Sequence, residues 1–437
     1  QFYYFYLKLL ALFLLINNKK YGMKHIYILI ILLTAFSTVF AQSNAVIAPP
    51  ENIKTIILRS SLTNDYAPII RLGDNFVFEF DDLNADQQQY SYRIEHYDYN
   101  WQPSGLTDTE YINGYATDWI RNFDNAFNTL QPYTHYRVTF PNENTSIKIS
   151  GNYLLTVLDE NDEVVFTRPF IIYEPAVDVG VTVHQSRDIA TLKTDHNIEL
   201  VVNHPNLNIN NPGQEVKIVV YQNNDWNTRL DGIKPQFYRG SQLLYRYGDK
   251  LSYHAGNEFL YFDTKQIRVA TNTIARVVLD DLFNAYLYIN EARANKPYTL
   301  YPDINGNFVI RTIDSDDSAL EADYCWVHFA LEYYGDPGRD AIYIYGNFNG
   351  WQLTDENTMT YNEASKLYTG KLLLKQGFYN YTYVTANAEK QVDNQDIEGS
   401  FYQTEDRYTA LVYYRPFGSR YDQVIGYGSA SSEILRN

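Results

Sequence analysis

Val177-Asp178-Val179-Gly180-Val181-Thr182-Val183 places four valines on one face of the chain and polar or small residues on the other. That is a period of two, which suits a pleated strand and not a helix. Working outward, Ile198, Leu200 and Val202 repeat the pattern in the next run, Tyr90, Tyr92 and Ile94 show it upstream, and Tyr379, Tyr381 and Tyr383 show it far downstream. Between such runs stand Asn211-Pro212-Gly213, Asn305-Gly306-Asn307 and Asp336-Pro337-Gly338. Turn-formers of this kind need a fixed or a positive φ and so end strands. The 42 Tyr and 23 Phe among 437 residues favour the same conclusion, because aromatic side chains fit a half-buried pleated surface. The expected fold is all-β, a tandem series of β-sandwiches. One stretch departs from it: Ile120, Phe123, Phe127 and Leu130 follow helical spacing and predict a short helix.

Met23-Lys24-His25, the apolar run Ile26 to Phe36, and Val39-Phe40-Ala41 have the order of a cleavable secretory signal over 23–41. Residues 1–22 read as an upstream extension outside the fold. Removing 1–41 takes away four lysines and no acids, leaving 31 basic against 52 acidic side chains, a formal charge of −21. Such a balance opposes nucleic-acid binding, which needs a basic surface. Strand series change at Tyr173-Glu174-Pro175 and again near Ile313-Asp314-Ser315-Asp316-Asp317-Ser318. The expected domains are therefore 45–175, 176–318 and 319–437.

Catalytic and metal-binding patterns are missing from the sequence. There is no phosphate loop, H-E-x-x-H pair, G-x-S-x-G elbow or CxxC, and Cys325 is the only cysteine. His96 and His184 fall on alternating runs and read as structural. Asp81-Asp82, Asp280-Asp281 and Asp314 to Asp317 read as solvated turns of an acidic protein, and the last group lacks the glycine and distal Glu of a calcium loop. No cofactor is expected. Loops rich in large aromatics are the remaining candidates, since such side chains anchor protein interfaces. Trp101 to Leu106 and Asn347 to Trp351 are two of them, giving Trp101, Leu106, Phe348 and Trp351 as partner-binding candidates.

Gly346-Asn347-Phe348-Asn349-Gly350-Trp351, between the runs Ala341 to Tyr345 and Leu367 to Leu374, resembles the turn of early-set immunoglobulin-like sandwiches related to glycogen-binding modules. In those modules the tryptophan either stacks on a sugar ring or plugs the end of the core. An alternative function follows from the resemblance: carbohydrate binding through an aromatic site around Trp351.

Longer patterns carry a second resemblance. Phe80-Asp81-Asp82-Leu83, Tyr90 to His96, Asn100-Trp101-Gln102-Pro103-Ser104, Glu110 to Gly114, Tyr133 to Tyr136 and Ser150 to Leu155 come first. Leu372 to Tyr381, Ile397 to Ser400, Tyr408 to Pro416 and Arg420-Tyr421-Asp422 follow in order. Together they resemble the plug protein family of the Bacteroidota type 9 secretion system, over about 45–428. Tyr97-Asp98-Tyr99 is a minor departure at a strand end. The resemblance implies a non-catalytic periplasmic protein, peripheral to the outer membrane through its partner alone. That partner would be the translocon barrel, whose pore the protein closes when no cargo passes.

Overall fold

The structure is a computed structural model that describes residues 46–62, 66–335, 337–338 and 340–436. The expected signal, the extension before it and Asp336 of the third turn lie outside the described residues. The chain folds into three packed β modules.

Module 1 is a sandwich. One sheet runs Ile53–Ser60, Phe76–Asp82, Thr134–Phe140, Asn122–Asn125; the other runs Ile69–Arg71, Val164–Tyr173, Gly151–Leu158, Ser91–Tyr97, Thr117–Trp119. Inward residues at period two meet between the sheets: Phe78 and Phe80 face Tyr92, Ile94, Leu155 and Phe166. Phe80 and Tyr136 stack at 4.9 Å between ring centroids. Its core comes wholly from residues 53–172.

The helix predicted from Ile120 to Leu130 does not form. Thr117–Trp119 and Asn122–Asn125 are short strands, and only Ile120 and Phe123 turn to the core. Phe127 and Leu130 are exposed, in a loop whose amides bond module 3. Asn122, Asp124, Asn125 and Asn128 are poor helix formers, and four apolar residues at helical spacing do not outweigh them.

Module 2 pairs Asp178–Gln185, Asp195–Asn203, Gln242–Tyr245 and Phe237–Arg239 in one sheet. Val183 opposes Ile198, and Val181 opposes Leu200, as the valine run requires. The facing sheet is Val216–Gln222, Arg407–Tyr414, Gln423–Ser431, so its central strand arrives from the far end of the chain. Module 3 fills the interval. Leu260–Asp263, Phe308–Ile310 and Ala341–Tyr345 pair with Gly377–Ala386. Against them lies Ile274–Leu279, Phe283–Leu287, Tyr324–Glu332, Leu367–Lys375, Thr360–Asn362.

Sheets thus cross the break expected near 318: strands from 260 to 310 belong with those after 324, and the last hairpin belongs to module 2. Alternation identifies which side of a strand is buried, but not which sheet receives it. Cys325 is buried in the third core, where burial pushes its thiol up to about 12 and leaves it unreactive. No helix among the described residues is long and apolar enough to cross a membrane.

Candidate functional site

Each module touches the other two, and the aromatic candidates lie along these seams. Trp101 is partly buried, with its ring edge-on to Trp226 of module 2 at 5.8 Å. Trp351 is 4% exposed and packs on Tyr345 at 5.2 Å. Trp226 packs against both clusters, so one indole from module 2 links Trp101 of module 1 to the Trp351 group of module 3. Polar bonds fix this junction. Tyr345 donates its hydroxyl proton to Asp225 at 2.7 Å, and Asn227 Nδ2 donates to the Trp351 carbonyl at 2.8 Å. Burial pushes the Asp225 carboxyl up to about 7. Trp101 and Trp351 both sit at φ +59°, in the left-handed region that bulky side chains avoid, so the packing around them holds a strained backbone.

Of the other two candidates, Leu106 packs on the first core, and Phe348 packs on the third, edge-on to Tyr379 at 6.0 Å. Trp101, Leu106 and Phe348 are partly buried, and Trp351 alone of the four is fully buried. It plugs the end of a sandwich and has no open face for a sugar ring.

Asp81 and Asp82 correct the reading of solvated turns. Both are 0% exposed, on the strand Phe76–Asp82. Asp81 accepts from Lys375 Nζ of module 3 at 2.7 Å and from the Tyr324 hydroxyl at 2.6 Å, with His135 Nδ1 at 2.6 Å. Burial works to raise the Asp81 pKa, but the Lys375 charge and the His135 contact outweigh it and hold the carboxylate below its usual range. Lys375 also donates to the Ala319 carbonyl at 2.7 Å and lies 4.1 Å from the centre of the Tyr133 ring. Nearby, the Asp323 carboxylate accepts from the amides of Leu130 and Gln131 at 2.8 and 3.1 Å. This polar network clamps module 1 onto module 3.

Modules 1 and 2 meet through rings. Tyr99 sits edge-on to Tyr413 at 5.1 Å, with Lys217 and Arg229 over its ring at 4.5 and 4.8 Å. Tyr413 donates to Asn152 at 2.7 Å. Much of the tyrosine excess is used in this way, because the ring fills a seam while its hydroxyl finds a partner. His96 is buried edge-on to Tyr153 and Tyr421, and burial drops its pKa to about 4, so it stays neutral and structural. His184 lies half-buried on an outer strand. Asp280 and Asp281 are exposed, and Asp317 caps the turn Ser318–Glu321. Among the described residues no group of three or more His, Cys, Asp or Glu is placed to hold a metal.

Lys375, Asp225 and Trp226 escaped the sequence reading. For Lys375 a signal existed: it closes the apolar run Leu372-Leu373-Leu374 that Lys371 opens.

The architecture defines a class, a block of interlocked β-sandwiches whose buried polar and aromatic groups join one module to the next. Residues 53–174, which are module 1, match the type 9 secretion system plug protein 1st domain. A solved hypothetical protein from Parabacteroides merdae ATCC 43184 is 31% identical, over 88% of this chain and 98% of that one, with a TM-score of 0.85. The Escherichia coli alpha-2-macroglobulin activated by porcine elastase gives a TM-score of 0.18 and 9% identity over 87% of this chain and 34% of that one, which carries no weight. No curated protein matches the sequence. Residues 53–174 therefore carry the first domain of the type 9 secretion system plug protein family.

Proposed function

We propose that the protein is a periplasmic plug that binds the translocon barrel of the type 9 secretion system and obstructs its pore when no cargo is in transit. The observation that carries the reading is the match of module 1 to the first domain of the plug family. The seams support it physically. An obstruction has to resist bending, and three sandwiches joined pairwise by buried polar and aromatic contacts leave no free hinge between cores. Because Trp101 and Trp351 are committed to the module junction, the partner contact falls to exposed loops. The turn after Arg407–Tyr414 is one, where the Phe417 ring stands wholly in solvent. The acidic balance suits a basic rim on the barrel.

The test is affinity purification of the tagged protein from detergent-solubilised envelopes, with partners identified by mass spectrometry. Recovery of a very large outer-membrane barrel in near-equal amount is expected, and cells lacking the protein should leak small molecules. Recovery of the protein alone, from envelopes whose other complexes stay intact, overturns the proposal.

A further inference from the structure

Where module 1 meets module 3, a cavity of about 270 Å³ lies between the strand Ile53–Ser60 and the turn Asn347–Asn349. From the other sheet of module 1 it receives one residue, Arg168 on the strand Val164–Tyr173. The guanidinium lies against the turn itself: a Cβ built on Gly350 would stand 3.5 Å from its Cζ. Of five potential donors, the structure uses one, Nη1 to the Thr167 carbonyl at a long 3.5 Å. Among the described residues no carboxylate forms an ion pair with it, whereas two other cations of the seam between modules 1 and 3 are matched, Lys375 by Asp81 and Lys54 by Glu356. Burial pushes the Arg168 pKa down to about 10. On the same wall, Asn349 Oδ1 is buried without a donor. The wall thus carries a partly buried guanidinium, matched by no carboxylate and lying 5.9 Å from the centre of the Phe166 ring, together with a buried acceptor that lacks a donor, and a ligand would relieve the cost of the latter.

We propose that this cavity binds a carboxylate carrying an adjacent N–H, the chemistry of a peptide C-terminus. The planar guanidinium takes the carboxylate through two parallel N–H bonds. Asn349 turns its amide toward the incoming group and accepts the N–H, and the Phe348 ring supplies an apolar wall. The volume suits the end of a chain rather than a folded partner. Glu51 and Asp355 also line the cavity, with Glu356 already held by Lys54, so a ligand with one negative charge is favoured over a phosphate. The inference does not depend on the plug reading.

The test is isothermal titration of the protein with acetyl-Gly-Gly, with its C-terminal amide and with inorganic phosphate. The free acid should bind, with the amide at least about tenfold weaker, the loss expected when a charge-assisted pair becomes neutral. Arg168→Met should abolish binding while the thermal midpoint holds, because no ion pair is lost with the guanidinium and the Met stem keeps its packing. Arg168→Lys, which keeps the charge and loses the fork, should bind about tenfold more weakly. Equal binding of acid and amide, tighter binding of phosphate, wild-type binding by Arg168→Met, or no binding of the acid at about 10 mM each overturns the proposal.

Discussion

Replacing Lys375 with Met isolates the clamp between modules 1 and 3. The ammonium lies 2.7 Å from Asp81 Oδ2, and both side chains are essentially excluded from water, at 1% and 0% exposure. At that separation, with an effective dielectric of about 20, the attraction is about 6 kcal/mol before desolvation is subtracted. Met keeps the length of the stem and removes the charge, leaving the Asp81 carboxylate buried with only Tyr324 and His135. Breaking one half of such a pair costs about 3–5 kcal/mol, mostly the penalty of the orphaned charge. Asp81→Asn should cost a similar amount by stranding the ammonium. The Asp81→Asn/Lys375→Met double variant strands neither, and its loss should fall short of the sum of the singles by about 2 kcal/mol or more. The assay is urea unfolding at neutral pH, followed by both tryptophan fluorescence and far-UV circular dichroism. Hydrogen exchange at Leu130 and Gln131, whose amides bond Asp323, reports the same seam. Because folding holds the Asp81 pKa below its unfolded value of about 4, the stabilisation exists above that pH and fades as pH falls through the folded value. The gap between wild type and Lys375→Met should therefore narrow in acid. Additive single losses, or single losses below about 1 kcal/mol, would refute the reasoning.

Asp225 and Asp303 have the opposite sign. Burial pushes their carboxyls up to about 7 and about 8, so folding takes up protons, and stability is full below about pH 4 and declines as pH rises through those values. Urea midpoints should fall between pH 5 and 8 by an amount that Asp225→Asn reduces (about 4 kcal/mol at most for a three-unit shift); a midpoint that rises over this range contradicts the assignment. Trp351→Ala should destabilise the fold by about 3–5 kcal/mol in the same assay, and titration of wild type with glucan oligomers should leave tryptophan fluorescence unchanged; a saturable change would reinstate a sugar site. Gly306→Ala should cost about 2–5 kcal/mol in thermal or urea unfolding, since a Cβ there falls 2.3 Å from Trp351 Cη2 on a backbone at φ +78°; a neutral result would mean the turn repacks freely.

The alternation of Val177 to Val183, and of Tyr379 to Tyr383, was enough to read the all-β fold, because a repeat of two fits a pleated strand whether one face is buried or, as in Gly377–Ala386, nearly both. Module boundaries were not legible. The run Tyr408 to Tyr414 has the same period whichever sheet receives it, and its pairing with Val216–Gln222 depends on a contact across most of the second half of the chain. Asp81 was misread for a related reason: an acid in a strand looks solvated until its partner, here Lys375, is brought from another module. The loops around Trp101 and Trp351 were found as aromatic anchors, but sequence does not distinguish an anchor for another protein from one for a neighbouring module.

The return of Arg407–Tyr414 to the centre of a module-2 sheet sets a timetable for synthesis. A chain emerging N-terminus first can finish module 1 on its own and later module 3, but module 2 must wait with Val216–Gln222 as an unpaired edge until the last hairpin appears. For that interval the nascent protein carries a bare strand edge able to pair with any neighbour. Loss of the final hairpin would therefore leave the middle sandwich open while its two neighbours fold, and nonsense changes late in the gene should yield aggregates rather than a shortened working protein.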